Sequence, residues 1–401
     1  MSLKHYPRIQ LAQEIAKALR GESSISDAPN GLFLAAPRRT GKSTFLQRDL
    51  KPELERLGVV VVYVDLWSDK KRDPALLIAQ AIGQVLGQHL GHVAKLANKA
   101  GLKEVKVAGV LTVDTSKIGK VDGLTLAQAL AKLGETSGKP VALIIDEAQH
   151  ALTSQDGEDA MTALKSARDQ MNVNGINLMI VMSGSDRDKL MRLVNNNKAP
   201  FFGSNITTFK ELGSDFIAHV AQLIEAEYKS FAPLDRAALM AAFKAFGHRP
   251  QFFIAAIGQA LSPLTAPEGV QFEDALLQAG KDKVASEEEQ MASDYIGLPP
   301  AEQVVLWRLL EQGQKFRPYD AAALAFYEEK LGKKLSPAQA QNALEGLRGR
   351  NPSMVWKSLR GEYAVDDAAM HHWYDAAIND GAWPPRGALM SHVVAKKKPR
   401  K

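Results

Sequence analysis

An α/β fold built on a parallel sheet is what this sequence predicts, and three observations carry the prediction. Short apolar runs alternate with helical segments up to about residue 212, the pattern of a sheet buried on both faces. The first run leads into APRRTGKS, residues 36–43, which nearly spells the phosphate-binding pattern G-x-x-x-x-G-K-[ST]. The third ends in the acidic pair Asp146 and Glu147, and ligands of open α/β sheets bind at the carboxyl ends of strands.

Five strands are expected in a core over 1–212: LFLAA (32–36), VVVVYVDLW (59–67), PVALIIDEA (140–148), INLMIVMSG (176–184) and ITTFKEL (206–212). Between the second and third, LKEVKVAGVLTVDTSKIGKV (102–121) alternates apolar and polar residues and predicts an inserted β-hairpin. Helices alone follow over 213–297. The paired prolines of GLPPAEQ (297–303) mark a boundary, and a module over 298–380 begins there. AEQVVLWRLLEQ, YDAAALAFYEEKLG and SPAQAQNALEGLRGR read as three helices, the last opened by a Ser N-cap and a proline in its first turn. SMVWKSLRGEYAVDD (353–367) then reads as a hairpin turning at Arg360 and Gly361. Three helices and a hairpin describe a winged helix, with 381–401 left as a basic tail.

Composition narrows the class. With 401 residues, 45% of them hydrophobic and 24% charged, the chain has ample length for two or three buried cores. It has no cysteine, so disulfides and thiolate metal sites are excluded. VVVVYVDLW is half the length of a membrane span and MSLKHYPR holds no hydrophobic signal region, so no membrane and a cytoplasmic location are expected. The net charge of +5 equals the charge of the terminal Lys396, Lys397, Lys398, Arg400 and Lys401. It is a local basic arm rather than a field of the whole molecule.

The loop chemistry points to a nucleotide polyphosphate, ATP among the candidates, with Mg2+. Ala36, Pro37, Arg38, Arg39, Thr40, Gly41, Lys42, Ser43 and Thr44 form the nucleotide-binding loop. Gly41 lets the backbone approach, Lys42 supplies a cation for the outer phosphates, Ser43 offers a magnesium ligand, and the following helix points its positive end at the anion. Ala36 stands where the pattern has its first glycine, which alanine can replace if φ there is negative. Asp146 is the expected second metal ligand and Glu147 the base that orients and deprotonates the attacking water, although an acidic pair at a strand end can also cap the next helix.

Other nucleotide users lack their marks. The Asn-Lys-x-Asp of a GTPase is missing, the one Asn-Lys near the sheet's end being NKAP (197–200), and so is a Ser-Gly-Gly signature. The Asp-Glu pair favours water over a kinase's substrate as acceptor. His89, His92, His371 and His372 show no His-Glu-x-x-His spacing.

Taken together, PRRTGKS, LIIDEAQ and MSGSDRDKLMRL resemble the AAA+ and STAND-related P-loop ATPases over roughly residues 5–260. The likeness is greatest to the prokaryotic archaeal-type ATPases and more distant to archaeal replication initiators and transposition ATPases. The resemblance implies a P-loop NTPase core and a helical lid; Ala36 departs from the usual pattern. It makes Ser183 or Ser185 a polar sensor and Arg249, in FGHRPQFF, a second sensor that reaches the phosphates when the lid closes. The STAND alternative reads Gly247 and Pro250 as a Gly-x-Pro turn. It also implies a nucleotide-dependent homo-oligomer in which Arg187 or Arg192 meets a neighbour's nucleotide.

Two partner classes fit the C-terminal module. Double-stranded DNA would be read by Gln339, Gln341, Asn342 and Arg348 of the third helix, with Lys357 and Arg360 in the hairpin. A protein-docking module needs no basic face.

Overall fold

The computed structural model describes residues 5–22, 28–69, 71–99, 118–119, 123–195, 199–267 and 269–389. The hairpin expected over 102–121, apart from Ile118 and Gly119, and the charged end of the basic tail lie outside these residues. The chain divides into two compact units, Met1–Glu211 and Leu212–Lys401.

The first unit holds a five-stranded sheet of β1 (Leu32–Ala35), β2 (Val60–Asp65), β3 (Val141–Asp146), β4 (Leu178–Gly184) and β5 (Ile206–Thr208). All pairings are parallel, in the order β2-β3-β4-β1-β5. Every residue of β3 and β4 is buried, which is why these runs lack the polar alternation of a half-exposed strand. β5 is shorter than its apolar run, because Thr207 and Thr208 are exposed and the chain leaves the sheet after Phe209 N–H donates to Ala35 O at 2.8 Å.

Helices cover the two faces. α1 (Ile9–Leu19) buries Ala12, Ala16 and Leu19, one stripe at helical spacing. It packs with the helical stretch Lys42–Arg56 against Val59, Val61, Ala142, Ile144, Met179 and Val181. That stretch consists of α2 (Lys42–Phe45), a π-type turn (Leu46–Leu50) and α3 (Lys51–Arg56). Pro52 explains the wide turn: it has no N–H, and its ring would collide with the carbonyl four residues back in a regular α-helix. The fully buried Leu46, Leu50 and Leu54 each contribute about 1.5–3 kcal/mol. α4 (Pro74–Lys99), α5 (Leu126–Ser137) and α6 (Gln155–Val173) lie against β2, β3 and β4. α5 starts at a Thr125–Gln128 capping box.

In the second unit, α8 (Ser214–Glu227), α9 (Arg236–Ala245) and α10 (Pro250–Leu261) meet through Phe216, Phe243 and Phe253, whose rings lie 5.1–6.4 Å apart. α11 (Phe272–Ile296) crosses α9 at Gly280, where an added Cβ would come within 2.8 Å of Ala245. Its last turn delivers Tyr295 to the core of the C-terminal part, so the expected lid and the module after it share one compact unit.

That part contains α12 (Pro300–Gln312), α13 (Ala321–Leu331), α14 (Pro337–Gly349) and the antiparallel pair β6 (Val355–Lys357) and β7 (Tyr363–Val365). Gly361 takes a φ of 79° in the connecting turn, a conformation that favours glycine. α15 (Ala369–Asn379) follows. Among the described residues no helix is long and apolar enough to cross a membrane.

Candidate phosphate site

Strand order builds the site. β4 lies between β1 and β3, so the loop leaving β1, the acidic pair ending β3 and the serines ending β4 meet at one edge. Gly41 (φ 90°) lets the chain turn from the loop into α2, and Arg39 (φ 69°) shares the left-handed region. Ala36 is not among the positive-φ residues, so its position makes no demand for glycine. It is buried, and its N–H donates to Gly184 O at 3.2 Å. Thr40 is buried as well, its hydroxyl donating to Pro37 O at 2.8 Å across the loop.

Pro37, Arg38, Arg39, Gly41, Lys42, Ser43, Thr44 and Glu147 line a cavity of about 170 Å³. Lys42, 5% exposed, holds its Nζ 3.6 Å from Asp146 Oδ1 and 3.4 Å from Glu147 Oε1. Both distances exceed the 2.7–2.9 Å of a tight charge-assisted bond. The ammonium is shared between two carboxylates and has capacity for a third anion.

Asp146 is almost fully buried and accepts from Ser183 Oγ, from Tyr63 OH at 3.2 Å and from Glu147 N–H at 3.1 Å. Glu147 has a φ of 54°, a conformation costing a non-glycine residue about 1 kcal/mol that concentrates at functional sites. Its Oε2 accepts from Gln149 Nε2 at 2.6 Å, Ser185 Oγ at 2.8 Å and Ser185 N–H at 3.4 Å. Burial by itself would raise this carboxyl, but the Lys42 charge and the Ser185 and Gln149 donors outweigh it and hold it below the usual range.

The residues fit a phosphate with a hard cation. Lys42, Asp146 and Glu147 sum to one negative charge, which an added divalent ion offsets. The Ser43 hydroxyl and the Asp146 carboxylate are the oxygen donors magnesium prefers when it keeps most of its waters.

The other sequence-predicted residues make contacts of their own. Arg187, in α7 (Arg187–Met191), is exposed and donates to Thr208 Oγ1 at 3.3 Å; Arg192 follows the helix. Arg249 belongs to the second unit, where Nη1 donates to both Glu287 oxygens at 2.8–3.0 Å, Nε donates to Phe246 O at 2.7 Å and the guanidinium lies 4.7 Å from the Phe252 ring centroid.

Sequence reasoning missed Tyr63, Asp65 and Gln149. The signal for Asp65 was present: its apolar run, like that of Asp146, ends in aspartate, and the two are register partners. Burial pushes the Asp65 carboxyl up, with Asp146 and Glu147 adding to it, against the Trp67 N–H donating at 2.8 Å. A raised folded-state value favours folding at low pH, and this contribution is lost as pH rises through it. Asp65→Asn keeps the acceptor for Trp67 and removes the charge. Its Tm should therefore exceed wild type by about 2 °C or more at alkaline pH, and the gain should fade as pH is lowered towards about 4. Thermal melts across pH check this; a gain independent of pH contradicts it.

Residues 26–193 match the family model described as an AAA domain. No curated protein matches the chain significantly. Among solved structures, the ADP form of the Aeropyrum pernix ORC2 protein matches at 13% identity and a TM-score of 0.51, covering 94% of this chain and 97% of that one. A Walker-type ATPase of Pyrococcus abyssi matches at 18% identity and a TM-score of 0.49, covering 94% and 100%. At such identity the ORC2 match speaks for the fold alone. Residues 26–193, which carry β1 to β4 and the phosphate loop, are thus an AAA-type P-loop domain, distantly related to the AAA+ ATPases.

Proposed function

We propose that the protein binds ATP with Mg2+ at the β1 loop and hydrolyses it to ADP and phosphate. The observation that carries this is Lys42, buried in the cavity wall and shared at 3.4–3.6 Å between Asp146 and Glu147. Backbone N–H groups at the start of α2 and the Lys42 ammonium bind the phosphates. Ser43 and Asp146 hold the metal, which neutralises charge on the outer phosphates. Glu147 takes the proton of the attacking water as the bond to the terminal phosphate breaks. Ser183 acts through Asp146, keeping that carboxylate oriented. A second-sensor role for Arg249 requires it to leave Glu287. Titration with ATP and ADP, with and without Mg2+, beside phosphate release tests the proposal: binding without Mg2+-dependent release retires the hydrolysis, and absent binding retires the site.

The proposal extends to nucleotide-dependent assembly with Arg187 or Arg192 completing a neighbour's site. Solution mass should rise with a slowly hydrolysed ATP analogue relative to ADP, and Arg187→Ala or Arg192→Ala should suppress the rise. An unchanged monomer in both nucleotides ends this part.

For the C-terminal module, α12–α14 with β6 and β7 support a winged helix gripping duplex DNA, α14 exposing Gln341 and Asn342. Glu345 favours a second reading, a nucleotide switch that docks protein. It pairs with both Arg348 (2.5 Å) and Lys357 (3.2 Å), and the side-chain Oε1 of Gln339 accepts from Ser336 N–H in the helix cap. Over 299–389 eleven Lys/Arg face eleven Asp/Glu, so this stretch has no net charge. Titration with DNA at stated salt separates the readings: affinity that changes between ADP and the ATP analogue supports DNA grip, and none at low salt supports the switch.

A further inference from the structure

Glu147 is held unequally at its two oxygens. Oε1 faces Lys42 at 3.4 Å in the cavity wall, whereas Oε2 is engaged by Gln149 Nε2, Ser185 Oγ and Ser185 N–H at 2.6–3.4 Å. Gln149 is 1% exposed and stands in the short helical turn Ala148–Thr153 directly after Glu147. Its own Oε1 is buried with no hydrogen-bond partner, so the side chain is kept inward at a desolvation cost. Gly184, at the end of β4, makes the space for it: a Cβ there would lie 2.7 Å from Gln149 Oε1 and 3.4 Å from Leu190.

We infer that Gln149 is a positioning residue for ATP hydrolysis, pinning Oε2 of Glu147 together with Ser185 so that Oε1 is the oxygen presented beside Lys42. This rests on Glu147 being the base, as proposed above. A carboxylate in a left-handed backbone conformation has few side-chain routes to a fixed place, and three donors on one oxygen remove its remaining rotation. The missing side chain at Gly184 belongs to the same device. Gln149 thereby joins the β3 end to the β4 end through the base itself, and its loss should be felt in turnover rather than in nucleotide affinity, because none of its polar atoms lies on the cavity wall.

The test uses the full chain with Mg2+-ATP, measuring kcat, KM, the Kd of the slowly hydrolysed analogue and Tm. Gln149→Leu should lower kcat about tenfold to a hundredfold, the size expected when a catalytic group is misplaced by about 1 Å, with Kd within about twofold of wild type. Gln149→His, which keeps an N–H donor of similar reach, should recover most of the loss. Gly184→Ala should mimic Gln149→Leu, yet add nothing further in a Gln149→Ala chain, where the oxygen it would strike is gone. Glu147→Gln, run beside them, keeps the two claims apart. If it is inactive while Gln149→Leu turns over at the wild-type kcat, positioning is overturned and the base stands. If Glu147→Gln itself turns over normally, the base reading fails and the inference with it. A Gln149→Leu chain that loses Kd and Tm in step with kcat, unrescued by histidine, reduces Gln149 to packing and overturns the inference.

Discussion

Lys42→Ala should weaken ATP binding about a hundredfold or more and lower the stability of the free protein as well. The binding loss follows from removing the cavity's cation from a phosphate ligand, since truncating one partner of a buried charge pair costs about 2–5 kcal/mol. The stability loss follows from what remains. Asp146, 1% exposed, and Glu147 would keep their hydrogen bonds but lose the ammonium 3.4–3.6 Å away. Because those separations are long, the cost should fall below the ~3–5 kcal/mol of breaking a tightly bonded buried pair. Nucleotide titration and thermal melts of the same chain check both parts. Lys42→Arg is the control: it keeps the charge and so the stability, while its larger fork fills space the phosphates need. An Ala variant that binds ATP as wild type does would remove Lys42 from the site.

Glu147→Gln should leave ATP binding within a few-fold of wild type and cut turnover by about 10²–10⁴, the range of a lost general base. An amide at this position still offers an oxygen to Ser185 and has the same size, so the cavity keeps its shape. What it cannot do is take a proton from water. The lowered proton affinity of Glu147 in the free protein, held down by Lys42, Ser185 and Gln149 against the effect of burial, keeps it ionised and ready to accept that proton near neutral pH. By the same linkage its ionised form stabilises the fold above the ordinary carboxylate range, a contribution lost as pH falls through its depressed value.

Much of the core was legible because its signals are local. Four buried strands announce themselves as unbroken apolar runs, and the loop and acidic pair sit directly at strand ends, so a motif and its place come together. The Ser336 N-cap of α14 was equally local, needing only that serine and the proline after it, whereas the return bond from Gln339 that completes a capping box shows only in the structure. What stayed hidden depends on strand order. That β4 lies between β1 and β3 decides that Ser183 reaches Asp146 and Ser185 reaches Glu147, and no spacing in the chain states that order. Gln149 reads as an ordinary residue after a strand until Gly184, thirty-five positions later, is found beside it. Arg249 carried a role by resemblance, and its pairing with Glu287, thirty-eight residues on, shows only once α10 and α11 are packed. Surface pairs such as Arg348 and Lys357 on Glu345 are likewise invisible to a count of charges.

The most direct measurement of the central claim is a paired one on wild type and Glu147→Gln: phosphate release from saturating Mg2+-ATP, with bound ATP quantified in the same samples. The account predicts that both chains bind ATP alike and that only the wild type releases phosphate. Equal release by the two would contradict it.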